Sequence, residues 1–245
     1  MSILSENQDV LLGANTYGIY GNSMFNRYVT DMNSMPGTQI CCEQINQGGG
    51  IDIALGFTYS HYFANNLILE ARAGYMGLSG GFSELRDYDI QVSNRLEKGQ
   101  VNHIIDVTLG GVNLDLMIGY EFYRNFSTFF SFGYITWLNN SFAQSERIVK
   151  PDDRGTFENN RRVRNEDSGK ILNLYNGNFT TSFGIRYQTS VNKEKTLVLI
   201  PELYLSTILG SVLSSDNWNI YSLRLGFSFV YRPAGDLSTP IMPAN

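Results

Sequence analysis

The chain has 245 residues, of which 17% are charged and 13% aromatic, with a net charge of −5. Ordinary soluble domains carry about 25% charged residues, so the chain is charge-poor, and it is rich in Tyr (15), Phe (15), Gly (24) and Asn (24). This composition excludes a disordered chain, a pI near 5.1 excludes a strongly basic nucleic-acid binder, and the lack of any run of about 18 apolar residues excludes a membrane-spanning helix.

Residues 1–6 (MSILSE) show no basic start, apolar stretch or cleavage box, so they are not read as a signal peptide. The chain is then either cytoplasmic or a mature, trimmed form. From residue 10 onward the dominant pattern is period-two alternation, the signature of strands with two unlike faces. Residues 10–20 form a first such run. In 51–59 the large apolar residues Ile51, Ile53, Leu55, Phe57 and Tyr59 alternate with Asp52, Ala54, Gly56 and Thr58. The scheme repeats over 67–75, 114–122, 126–138, 179–187, 197–205 and 221–231, giving eight predicted strands. Each is about nine to eleven residues long, enough for a tilted strand to cross a bilayer core.

The links alternate in length. Residues 61–66, 123–125 and 189–195 are short turns, whereas 21–49, 80–100, 139–169 and 207–217 are long loops. Short turns on one side and long loops on the other suit an outer-membrane barrel with long loops outside the cell. Within the second long loop, residues 89–93 and 101–109 are themselves strand-like, predicting a hairpin that turns near 96–99. Apolar parity switches at Gly110-Gly111, which predicts a β-bulge. Residues 232–245 hold three of the six prolines and read as an extended tail.

The fold class expected is therefore all-β: an eight-stranded antiparallel up-and-down transmembrane β-barrel over residues 1–231, followed by a Pro-rich periplasmic tail or linker at 232–245. The faces decide its orientation. One face is bulky and apolar. The other carries Gly, Ala, Ser and Thr with Asp52, Glu70, Arg72, Asp115, Glu121, Arg186, Glu202 and Arg224. Turned inward, the small face cannot fill a soluble core, so a lipocalin-like soluble barrel is disfavoured; turned toward a lumen, its charges pair as a polar network. A lumen this narrow is filled by side chains, so a plugged interior is expected over an open one. Tyr59, Tyr62, Phe63, Tyr120, Phe122, Tyr123, Phe126, Tyr187 and Tyr231 cluster at the short-turn ends as a candidate interfacial girdle.

Three other groups bear on chemistry. Cys41 and Cys42 are adjacent and cannot clip a long loop together; a strained loop disulfide, free or loop-packed thiols, and metal binding stay open, although His61 and His103 are not spaced for zinc. No hydrolase, zinc-protease or P-loop motif occurs; His103 with Ser83 or Ser93 and Asp106 or Asp89 is the sole candidate catalytic grouping, and no enzyme is expected. Arg154, Arg161, Arg162, Arg164 and Lys170 make a basic loop that could contact lipopolysaccharide phosphates, but Asp152, Asp153, Glu158, Glu166 and Asp167 lie among them, favouring local ion pairs.

The last strand ends in Phe229-Val230-Tyr231, which looks like the aromatic C-terminal signal of outer-membrane barrels. Met35-Pro36-Gly37, Cys41-Cys42 and Gly48-Gly49-Gly50 resemble a first-loop pattern of one subgroup; Pro151, Phe157, Arg162 to Asn165 before Gly169, and Pro201-Glu202 fit it more loosely. Over residues 10–231 the chain thus resembles the N-terminal barrel of outer-membrane protein A and related porin-like barrels. The resemblance implies an integral protein of the Gram-negative outer membrane with both termini periplasmic. It implies a structural or anchoring role, outward loops for surface partners, and no cofactor or metal. The alternatives are a narrow ion or small-solute channel, or an adhesin or assembly subunit of a larger outer-membrane complex. Expected partners are outer-membrane lipid, lipopolysaccharide and other envelope proteins, with no nucleic acid, and peptidoglycan only through a C-terminal domain absent from these residues.

Overall fold

The computed structural model describes residues 15–32, 34–36, 45–63, 65–92, 95–123, 125–152, 154–157 and 160–233. Among them lie eleven strands: β1 (Asn15–Met32), β2 (Ile45–Tyr62), β3 (Leu67–Gly77), β4 (Gly80–Val92), β5 (Arg95–Tyr123), β6 (Phe126–Lys150), β7 (Val163–Lys170), β8 (Gly177–Tyr187), β9 (Thr189–Ser190), β10 (Leu197–Ile208) and β11 (Trp218–Tyr231). No described helix is long and apolar enough to cross a membrane.

The strand count corrects the sequence reading. The strands form one eleven-stranded sheet, with the hydrogen-bonded path β3-β5-β4-β2-β1-β11-β10-β8-β6-β7, further pairings β3–β2 and β5–β6, and β9 on β10. This is not the eight-stranded up-and-down barrel expected, and the likeness to the outer-membrane protein A barrel does not hold. The cause is local. Residues 21–32 and 139–150, read as loop, continue β1 and β6. Gly80–Val92 is a full strand that pairs with β5 along its length and meets β2 at Gly48 and Gly49. β7 is added to the outer part of β6.

Several local expectations agree with the pairing. The β5–β6 register shifts at Gly110/Gly111, where the bulge was expected. The β4–β5 hairpin turns between Val92 and Arg95, a few residues before the expected place. Asn66 and Asn125 in the short turns have φ of 64° and 68°; a short side chain that bonds its own backbone makes Asn the residue that tolerates this left-handed region.

Burial alternates along nearly every strand. In β11, Trp218, Ile220, Ser222, Arg224, Ser228 and Val230 are buried, while Tyr221, Leu223, Leu225, Phe227, Phe229 and Tyr231 are exposed. The outward residues are the large apolar ones: Phe57 is 73% exposed, Ile51 71%, Leu116 66% and Leu205 64%. From Val112 to Tyr120 the outward column of β5 is Val, Leu, Leu, Ile and Tyr over eight residue steps, about 26 Å along the strand. Beyond this belt, β4, the first half of β5, the second half of β6 and β7 form a projecting sheet with Tyr88, Ile90, Val92, Val101, Ile148 and Phe157 as its own small core.

Candidate functional site: a charged interior inside an apolar belt

Of the eight charged residues assigned to the inner face, four meet at one point. Arg72 on β3 holds Glu202 on β10 through both guanidinium ends, at 2.8 and 2.7 Å, and its Nε donates to Glu70 at 2.6 Å. Arg186 on β8 holds the same Glu70 at 2.6 and 2.9 Å and lies 3.3 Å from Glu202. β3 and β10 are not paired strands, so the sheet curves until residues 130 positions apart touch.

The surrounding side chains complete the bonding. Ser60 donates to Glu70 at 2.8 Å, Ser228 donates to Glu202 at 3.2 Å, and Arg186 Nε lies against the Tyr204 hydroxyl. Arg72 stacks over the Tyr20 ring at 4.6 Å and Arg186 over Phe129 at 3.8 Å, contacts worth most where water is absent. Two acids and two bases sum to zero, and every carboxylate oxygen is bonded. Bidentate forks of this kind are the geometry in which buried ions recover their desolvation cost. Phe129 in turn lies across Gly119, where a Cβ would strike its ring. Gly119→Leu is expected to displace that ring from Arg186 and cost about 1–3 kcal/mol, measured as a shift of the urea midpoint in micelles.

The other assigned residues are placed differently. Asp115, opposite Arg72 across β3 and β5, and Arg224 on β11 are buried 3.8 Å apart; Asn113 donates to Asp115 at 2.5 Å and Arg224 donates to Ser206 at 2.9 Å. Asp52 takes the backbone N–H groups of Ile53 and Ser79, and Glu121 takes that of Asn125 at the turn. Neither joins the four-residue cluster.

The interior is not polar throughout. On the distal side of the cluster a larger core fills it, with Met24, Tyr28, Met32, Met35, Met76, Phe82 and Trp218 at its heart. Trp218 sits edge-on to Tyr28 and Phe82, at 5.5 and 5.8 Å. On the turn side lie Val198, Ile200 and Val230. The charged layer is thus held between two apolar ones. The sequence reading missed this layering because Met24 and Tyr28 fall in a segment taken as loop.

A second cluster, also missed, braces the projecting sheet. Buried Glu146 accepts from Arg164 at 2.6 Å and Asn165 at 2.7 Å, and lies 3.4 Å from His103 Nδ1. Arg164 packs over Phe157 at 4.2 Å. Of the basic loop, Arg154 pairs with Glu97 and Arg161 with Glu166, and Arg162 donates to the carbonyls of Ile148, Pro151, Arg154 and Gly155. Lys170 is exposed on β7. The four arginines thus fasten the segment to itself, to β6 and to the β4–β5 hairpin.

Among the described residues, the grouping around His103 does not assemble. Glu84, not Ser83, stands opposite His103 across β4 and β5; Ser83 is exposed and donates to Asn102, and Asp89 pairs with Lys98 at 2.9 Å. Outside the belt, side-chain and backbone donors of Asn217 hold the Asp31 carboxyl below its usual range, and the bonded Asp89 carboxylate raises the Lys98 ammonium. Cys41, Cys42, Ser93, Asp153, Glu158 and most of the proline-rich tail lie outside the described residues.

At the short-turn end, Tyr17 and Tyr59 pack in a tilted pair at 5.2 Å and Phe126 and Tyr187 in another at 4.8 Å. Tyr231, Tyr120, Phe122 and Tyr123 are exposed beside them. Tyr62 departs from the expected girdle: it is buried against Ile68, Met117, Phe129 and Tyr204.

No protein-family model and no curated protein matches the chain. Among solved structures, Ail, the attachment invasion locus protein of Yersinia pestis bound to the heparin analogue sucrose octasulfate, matches with TM-score 0.37 and 9% identity, over 89% of this chain and 99% of its own. The outer membrane protease OmpT from Escherichia coli matches with TM-score 0.39 and 9% identity, over 90% and 97%. Outer membrane protein AlkL, solved in DMPC lipid bilayers, matches with TM-score 0.40 and 13% identity, over 96% and 98%. TM-scores below 0.5 at such identities carry no argument about what this chain does.

Proposed function

We propose that the chain is an integral β-sheet protein of the Gram-negative outer membrane that anchors a projecting sheet for contact with surface or envelope partners. The observation that carries this reading is the inversion of the usual burial pattern: four ionised side chains are sealed inside while the bulkiest apolar ones face out. Soluble monomers rarely expose apolar patches beyond a few hundred Å²; here the belt continues from strand to strand. Hydrocarbon outside satisfies those residues, and paired backbone groups satisfy the strands.

In this reading the short turns and both ends of the described chain face the periplasm, and β4 to β7 project outward. Surface attachment or assembly through that sheet is favoured over conduction, because the charged layer is neutralised and Trp218, Tyr28 and Phe82 fill the interior beyond it. Lipopolysaccharide and other envelope proteins are the partners proposed for the projecting faces. No catalytic role is proposed.

The test is flotation. Refolded protein is expected to float with phospholipid vesicles through a sucrose gradient and to stay with them in alkaline carbonate; a folded monomer left in the dense aqueous fraction would refute the reading. In planar bilayers the same protein is expected to give no discrete current steps, and reproducible steps would favour the channel instead.

A further inference from the structure

The apolar belt has a pronounced hollow. Ala71 and Ala73 face outward on β3 in neighbouring cross-strand rows. In the first row Ala71 stands between Tyr59 and Leu116, and in the second Ala73 stands between Phe57 and Leu114. Tyr17 and Phe132 extend the first row by one strand on each side, and Ile19 and Tyr134 the second. Along β3, Leu69 and Tyr75 are the next outward-facing residues on either side. The result is a mainly apolar trough of about 1000 Å³ with the Ala71 and Ala73 methyl groups at its centre; inward-facing Arg72 and Asp115 also border it.

We propose that this trough holds an acyl chain of a membrane lipid as a retained ligand; the proposal rests on the membrane reading above. Three features select this occupant. The trough is continuous with the belt and carries no charged side chain on its outward rows. The rows that line it span five strands, about 19 Å at ordinary spacing, comparable with the roughly 15 Å that one leaflet's chains span. Two rows so spaced cover on the order of 150 Å², far below the roughly 800 Å² per partner that a stable protein interface buries, which argues against a second copy. A hollow in hydrocarbon forfeits dispersion contacts unless an apolar group fills it.

The test uses the full chain in phosphatidylcholine vesicles doped with chain-spin-labelled phosphatidylcholine. Ala71→Leu/Ala73→Leu fills the floor, and Leu223→Phe adds bulk to the belt away from β3. The double variant is expected to lose one motionally restricted chain per protein, while Leu223→Phe keeps the wild-type number. Equal numbers in wild type and double variant overturn the trough proposal, as does a wild-type dimer that cross-links in the bilayer and is dispersed by the double variant. Flotation is scored on the same samples. Protein that fails to float overturns the membrane reading and the trough with it; protein that floats with an unchanged restricted fraction overturns the trough alone.

Discussion

Leu116→Arg is expected to lower the stability of the protein folded in lipid vesicles by about 2–4 kcal/mol, the cost of a cation on the lipid-facing side near the middle of a bilayer. Leu116 is 66% exposed and lies in mid-column on β5. On area alone it is a surface residue, and replacing a surface residue in water changes stability by no more than about 0.5 kcal/mol. Leu96, 73% exposed at the tip of the β4–β5 hairpin, supplies the control. Leu96→Arg is expected to stay within that smaller limit. Urea titration of both variants by tryptophan fluorescence distinguishes the cases; equal, small losses would mean that water surrounds both positions.

Removing one member of the buried cluster is expected to be the most damaging single change inside. Arg186→Met leaves Glu70 with one cation instead of two and strips Phe129 and Tyr204 of their partner. Breaking a buried pair in this way costs about 3–5 kcal/mol, because an uncompensated charge stays behind. Arg186→Met/Glu70→Met takes one charge of each sign away, leaves the Arg72–Glu202 fork in place, and is expected to cost less than the sum of the two single changes. The double-mutant cycle gives the coupling directly; additive losses would show that the contacts contribute little despite their short distances.

In the membrane reading, the alternation that makes the belt readable from sequence exists because hydrocarbon and interior impose opposite demands on adjacent residues. In 51–59, 114–122 and 221–231 that contrast is sharp, and both the strands and the outward direction of their bulky residues could be read. Even some inner pairs were within reach: the 61–66 turn sets Ser60 opposite Glu70 and Thr58 opposite Arg72. The contact of Arg72 with Glu202 was not, since no local rule carries two strands round a curved sheet to one point.

Beyond the belt both faces of a strand tolerate polar residues, and the alternation loses its contrast. Asn139 to Lys150 contains Gln144 and Glu146 facing in and Arg147 facing out, so a strand reads as loop. The same happens in 21–32, where buried Asn22, Asn26 and Thr30 alternate with buried Met24, Tyr28 and Met32. Both errors shortened strands and together hid the distal apolar core; the three strands beyond the eight are β4, β7 and β9, all within segments read as links.

The central claim, that hydrocarbon surrounds the belt, is tested most directly by spin labels placed singly at residues 112, 114, 116, 118 and 120 of β5 and at 96, 98 and 102 of the projecting hairpin, in a Cys41→Ser/Cys42→Ser background. In bilayers, labels at 114, 116 and 118 are expected to be relaxed strongly by oxygen and weakly by a water-soluble nickel chelate, with the ratio reversing at 96, 98 and 102. Nickel access as high at 116 as at 96 would contradict the account.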